Sequence, residues 1–221
     1  MKVNVYGVPS EVVVRWLFNG KALENWADLG CGPGNYTSAV GIKAKSGVGV
    51  DMRESAPELP EFFKFERKPI EDWLQSKNED EFDLVSSFDV VEHFPKEDAL
   101  VLMKEMRRVG REVLISTPGG FLVQDAETHP EHKDNPWQWH RSGFEPEDFE
   151  RLGFLVFVLR NHHYKPKGND RSFDKLLCLW AGGGSHYAAL AHFVRRRNAL
   201  YLMRPLHFFR MVRDVVLKPF I

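Results

Sequence analysis

Ala27-Asp28-Leu29-Gly30-Cys31-Gly32-Pro33-Gly34-Asn35 decides the reading of this chain. The apolar run 23–29 carries an acid near its end and is followed by glycines at alternate positions, 30, 32 and 34. That pattern predicts a short buried strand and then a sharp turn whose backbone can approach a ligand where a Cβ would collide. A helix is expected from about residue 36, with the free N–H groups of its first turn facing whatever lies in the loop.

A dinucleotide loop needs G-x-G-x-x-G, and counted from Gly30 its third glycine falls on Asn35. Asp28 would moreover repel a pyrophosphate, so a nicotinamide-dependent oxidoreductase is the weaker alternative. The spacing here is D-x-G-x-G-x-G. With the continuation Val48-Gly49-Val50-Asp51-Met52, it resembles the first motifs of the class I S-adenosylmethionine-dependent methyltransferases. The resemblance spans roughly 24–181 and implies a set of cofactor contacts. Gly30, Gly32 and Gly34 would pass along the methionine part, with Asp28 near its cationic groups. Asp51, beside Met52, would hold the ribose hydroxyls. The backbone at Pro69, Ile70 and Glu71 would meet the adenine. Physical chemistry agrees, because the donor carries a sulfonium and an ammonium but no phosphate, and a carboxylate's two oxygens suit vicinal hydroxyls.

The rest of the chain fits an α/β domain. Strands are expected at 23–29, 47–51, 61–66, 82–88 and 113–116, with helices opening at Ser10 as a cap, at 69–74, at 96–107 with Leu100, Met103 and Met106 on one stripe, and at 146–152. Strands alternating with helices imply right-handed βαβ units and a parallel sheet. Two last apolar runs, 154–159 and 175–180, resemble the antiparallel hairpin that closes the family's sheet. The expected fold is a Rossmann-like, seven-stranded, mostly parallel sheet with helices on both faces, a closing hairpin and a C-terminal helical extension. The expected division is a methyltransferase domain at 1–185 and the extension at 186–221.

With 43% hydrophobic and 28% charged residues, the 221-residue chain has the composition of a soluble globular protein, and no run of about 18 apolar residues would span a bilayer. Met1-Lys2-Val3-Asn4-Val5 lacks the apolar core of a signal peptide, and Cys31 and Cys178 have neither disulfide-framework nor metal-site spacing, so a reducing cytoplasm is the expected setting. The charge is unevenly spread. Residues 186–221 hold seven basic side chains and one acid, giving +6 against −7 for 1–185. Interleaved with Phe193, Tyr201, Phe208 and Phe209, these arginines describe a basic amphipathic helix that lies on an anionic membrane surface or packs on the domain or a dimer partner. Nucleic-acid contact is the least favoured reading.

Ligands of open α/β sheets bind beyond the carboxyl ends of the strands, so Ser87-Phe88-Asp89-Val90-Val91-Glu92-His93, which follows the fourth expected strand, should face the transferable methyl. Ser87 and Phe88 are assigned to the cofactor, and His93 is the candidate base for a hydroxyl acceptor, with Glu92 beside it. A helix-starting histidine bonded to its own loop is the alternative. Asp89-x-x-Glu92-His93 also resembles the E-x-x-E-H cluster of ubiquinone-pathway O-methyltransferases and small-RNA terminal 2′-O-methyltransferases, where a divalent ion is gathered. Asp89 is one methylene shorter than the glutamate of that cluster, and the expectation is a site without metal. In the long loop 118–141, His140 stands four residues before Phe144, as in related small-molecule, lipid and glycan enzymes, and joins the catalytic candidates. Trp137 and Trp139 could wall an aromatic or sugar acceptor. The expected activity is methyl transfer from S-adenosylmethionine to an oxygen of a small molecule, lipid or glycan, with a non-catalytic cofactor-binding module as the remaining alternative.

Overall fold

A computed structural model of the chain describes residues 2–55, 57–130, 133–163 and 173–182. Eight strands form one sheet: β1 (Lys2–Tyr6), β2 (Leu23–Leu29), β3 (Ala44–Asp51), β4 (Phe63–Arg67), β5 (Phe82–Phe88), β6 (Gly110–Pro118), β7 (Leu155–His163) and β8 (Phe173–Ala181). Their order is β1-β7-β8-β6-β5-β2-β3-β4. Only β8 runs against its neighbours, pairing antiparallel with β6 and β7, while the remaining pairs are parallel.

The expected sheet with its closing hairpin is therefore present, extended by one strand. β1 was read only for the absence of a leader. It pairs in parallel with β7 at the sheet edge and buries Val5, because an edge strand needs only part of its length covered and its five residues carry a weak periodic signal. The helix after the glycine loop is short: α2 spans Asn35–Ala39, with Gly34 at its N-cap in the left-handed region, φ 88°. In α1 (Ser10–Phe18) the N-cap is Pro9, and Ser10 is instead a buried first-turn residue whose hydroxyl accepts from Tyr36 at 2.5 Å. α3 is Ile70–Gln75, α4 Lys96–Val109 and α5 Pro146–Arg151. The buried face of α4 is Ala99, Leu102, Met103, Met106 and Val109, so the stripe is turned away from Leu100, which is only half-buried.

Helix packing divides the core into two layers. One holds Val85, Val113, Trp73, Met103 and Phe149 on the α3–α4–α5 side, and the other holds Val13, Leu17, Trp26, Leu84 and Phe157 on the α1 side. Fully buried Trp26 directs its indole N–H to Ser86 Oγ at 2.7 Å, which satisfies the one polar atom that its burial would strand. The proposed boundary at 185 and the basic segment 186–221 lie outside the described residues. Among the described residues no helix is long and apolar enough to cross a membrane.

Candidate active site

A cleft of about 560 Å³ opens beyond the carboxyl ends of β2 to β5. Its near wall is the glycine loop. The N–H groups of Gly30 and Cys31 both reach back to the Val50 carbonyl, at 2.7 and 3.2 Å, which folds the loop over the end of β3. Gly30 has φ 72°, and a Cβ there would lie 2.4 Å from Val90 Cγ2, so only glycine lets the segment after β5 pack on the loop.

Asp51 ends β3 and receives the Gly32 N–H on Oδ2 and the Arg53 N–H on Oδ1, each at 2.9 Å. Gly30, Gly32, Asp51, Met52, Ile70, Glu71, Phe88 and His93 all line the cleft, as the sequence suggested. Asp28, Gly34, Ser87, Glu92 and His140 are not part of its lining. Asp28 points down from the loop into the α1-side layer, where its oxygens accept from Ser86 Oγ at 2.6 Å and Thr37 Oγ1 at 2.5 Å. Burial pushes its carboxyl up to about 7 against the pull of those two hydroxyls, with the Asp51 charge adding to the rise. Gly34 turns the chain into α2, and Ser87 is buried on the opposite side of β5 from Ser86.

Past β5 the chain makes an abrupt bend at Asp89, which has φ 56°, and enters a single 3-10 turn over Val91–His93. Here residues remote in sequence converge. The Glu92 carbonyl accepts the N–H groups of Arg141 and Ser142 at 2.8 and 3.1 Å, clamping the long loop onto the turn. The Glu92 carboxyl is buried, accepts from Thr117 Oγ1 at 2.9 Å, and is pushed up to about 8 by burial and then by the Asp89 charge. His93 and His140 face each other with ring centroids 4.9 Å apart. His93 Nδ1 meets the Trp139 carbonyl at 3.2 Å and His140 Nδ1 meets the Leu122 carbonyl at 2.6 Å. A carbonyl only accepts, so these contacts assign the proton to Nδ1 in each ring, which puts the lone pair of the neutral form on Nε2; the Asp89 carbonyl also faces the His93 ring. Burial, and secondarily His140, hold His93 down at about 4, so it is neutral at physiological pH.

Glu92, His93 and His140 each offer a donor atom within 4.8 Å of the others, a set that would fit a divalent ion. The membership differs from the motif reading: Asp89 is drawn off by Lys175 Nζ at 2.7 Å and Ser116 Oγ at 3.0 Å, and His140 takes its place. The outer wall comprises Phe94, Pro95, Asp98, Trp137, Gln138 and Arg141, and Trp137 is 68% exposed while lining the cleft. Tyr36 and Asp98 are not singled out by the sequence, and Gln138 and Arg141 are marked by it only as members of the long loop expected to recognise substrate. The other legible hint was their clustering within a few positions of Asn35, His93 and His140.

A cleft with a glycine loop on one wall, in a parallel sheet closed by an antiparallel hairpin, is the architecture of the class I S-adenosylmethionine-dependent methyltransferases. The chain belongs to the family described as "Methyltransferase domain", whose sequence model matches residues 4–166, more than half of the 221. Its fold is similar to that of a SAM dependent methyltransferase from Archaeoglobus fulgidus, at TM-score 0.50 and 18% identity over 76% of this chain and 93% of that one. The YcgJ protein from Bacillus subtilis is similar at TM-score 0.53 and 14% identity, over 76% of this chain and 95% of that one. No curated protein sequence matches significantly. The protein is an S-adenosylmethionine-dependent methyltransferase, and the oxidoreductase and non-catalytic alternatives fall away with that assignment.

Proposed function

We propose that the enzyme methylates a hydroxyl oxygen of a small molecule, lipid or glycan, with His93 as the base. The observation that carries this reading is a cleft-lining histidine held neutral, with its Nδ1 proton committed to a backbone carbonyl and its lone pair on Nε2. In the transfer, the acceptor oxygen attacks the methyl carbon in line with the sulfonium. The C–S bond breaks with its electrons passing to sulfur, and the hydroxyl proton passes to His93 Nε2. His140 lies against the His93 ring, and Glu92 anchors the turn that carries it. The cofactor side is formed by Gly30, Gly32, Asp51, Met52, Ile70, Glu71 and Phe88. Trp137, beside Asp98, Gln138 and Arg141, offers an aromatic face flanked by planar polar groups, which suits an aromatic or sugar acceptor.

A divalent ion at Glu92, His93 and His140 is a second reading of the same transfer, favoured by their mutual distances. Such an ion would lower the pKa of the acceptor hydroxyl and orient it. The test is methyl transfer from labelled S-adenosylmethionine to a panel of phenols, sugars and lipid alcohols, with EDTA or with magnesium. His93→Gln should lower kcat by about 100-fold or more while leaving S-adenosylhomocysteine binding within about twofold. Full turnover in this variant removes His93 from the chemistry, and dependence on magnesium selects the second reading.

A further inference from the structure

Among the described residues, the pair of buried Lys175 with half-buried Asp89 is unused by the methyl-transfer chemistry. Lys175, at the head of the apolar run 176–181 of β8, is 3% exposed. Its ammonium lies 2.7 Å from Asp89 Oδ2 and 4.8 Å from the centre of the Tyr36 ring. Ser116 Oγ donates to the other oxygen of Asp89 at 3.0 Å. Taking a lysine out of water is costly unless it is paired, so its presence in a core strand asks for a role that a leucine could not fill. Asp89 is in addition a non-glycine residue at φ 56°, a conformation that persists where the surroundings enforce it and that clusters at ligand-binding positions. The strained backbone and the pair together set a carboxylate into the cleft wall, since Asp89 and Tyr36 both line it.

The sheet order says which part of a ligand would meet it. Asp51 ends β3, the glycine loop ends β2, and Asp89 follows β5, with these strands adjacent in the order β5-β2-β3. Two strand spacings separate Asp51 from Asp89, about 10 Å across the glycine loop. This is comparable to the stretch from the ribose hydroxyls to the α-carbon of the methyl donor. A donor whose ribose is held at Asp51 therefore brings its zwitterionic end to the β5 corner.

We propose that Asp89 binds the α-ammonium of the methyl donor and that Lys175 is a positioning residue that holds the Asp89 carboxylate in its strained place. The Lys175 charge also offsets repulsion between Asp89 and the donor's own α-carboxylate. This rests on the placement of the donor given above, and the experiment separates the two. Isothermal titration calorimetry of the full chain compares S-adenosylhomocysteine with its deaminated analogue, which lacks only the α-ammonium. In the unaltered protein the analogue binds about 10- to 100-fold more weakly. In Asp89→Asn the gap closes to within about threefold, and likewise in Asp89→Asn/Lys175→Met, which removes both charges so that the lysine is not left buried without its partner. Lys175→Arg preserves the gap. A merely structural pair would alter affinity for both ligands alike and leave their ratio unchanged. Equal binding in the unaltered protein, or a ratio that survives in the double variant, overturns the proposal with donor binding intact. Failure of S-adenosylhomocysteine to bind the unaltered protein overturns the donor's placement as well.

Discussion

At the scale of single residues, Asp51 is the proposed cofactor contact with the plainest chemistry. Two backbone N–H groups, from Gly32 and Arg53, fix its two oxygens at 2.9 Å each and so aim the carboxylate across the cleft. A carboxylate has about four lone-pair positions, and these two bonds leave it able to accept from a pair of vicinal hydroxyls. Asp51→Ala should weaken S-adenosylhomocysteine binding by about 10- to 100-fold in calorimetry, with Asp51→Asn in between. Undiminished affinity in the alanine variant would mean that the ribose lies elsewhere. The place of Asp51 in the cleft was legible because it follows from one local rule, an acid at the end of the strand after a glycine loop. Asp28 was read as facing the ligand and does not. Strand side chains alternate, and position 28 shares its side with Trp26, facing Ser86 across the sheet. Lys175 could not be reached from sequence, since it enters through an antiparallel register, and Arg141 was placed only by its loop, since a backbone clamp to Glu92 seats it.

Among elements, the loop-to-helix junction is where sequence reading was strongest and where the structure is least tolerant. β2 and β5 have the bounds expected from their apolar runs, because both are central strands buried along most of their length. The terminal strand β1 and the true buried face of α4 were harder to see, since each depends on which surface the neighbouring elements leave to be covered. Gly34 caps α2 at φ 88°, and a Cβ there would come within 2.3 Å of the Glu58 carbonyl oxygen. The same segment is tied down by the Glu58 N–H bonded to the Pro33 carbonyl at 2.9 Å, so it has little room to yield. Gly34→Ala should therefore cost about 2 kcal/mol or more in urea unfolding, from left-handed backbone strain and from the displaced carbonyl together. It should weaken cofactor binding too, because the loop beside it lines the cleft. Wild-type stability in this variant would show that the 57–60 segment moves aside freely.

For the molecule as a whole, the buried ionisable groups make stability depend on pH in a direction that can be worked out. Asp28 is raised to about 7, so the folded state holds a proton that the unfolded chain, with an ordinary carboxyl, has already released near neutrality. Its contribution is fully present below the unfolded value of about 4 and is lost as pH rises through about 7. Glu92, raised to about 8, acts in the same sense. His93, lowered to about 4, acts oppositely: its contribution is present above the ordinary histidine value of about 6.5 and fades as pH falls toward 4. Together the three groups make stability fall as pH rises from about 4.5 to about 8, because two raised carboxyls outweigh one lowered histidine, and the fall is steepest between about 6.5 and about 7, where the histidine no longer offsets them. Asp28→Asn keeps the shape of the protonated side chain but can release no proton. Between about pH 6 and about pH 8.5, its melting temperature should fall by about 5 °C less than that of the unaltered protein. Thermal melts followed by circular dichroism across that range check this. Parallel curves for the two proteins would mean that Asp28 is already ionised in the fold, and the Ser86 and Thr37 hydroxyls would then be stabilising a buried anion beneath the glycine loop.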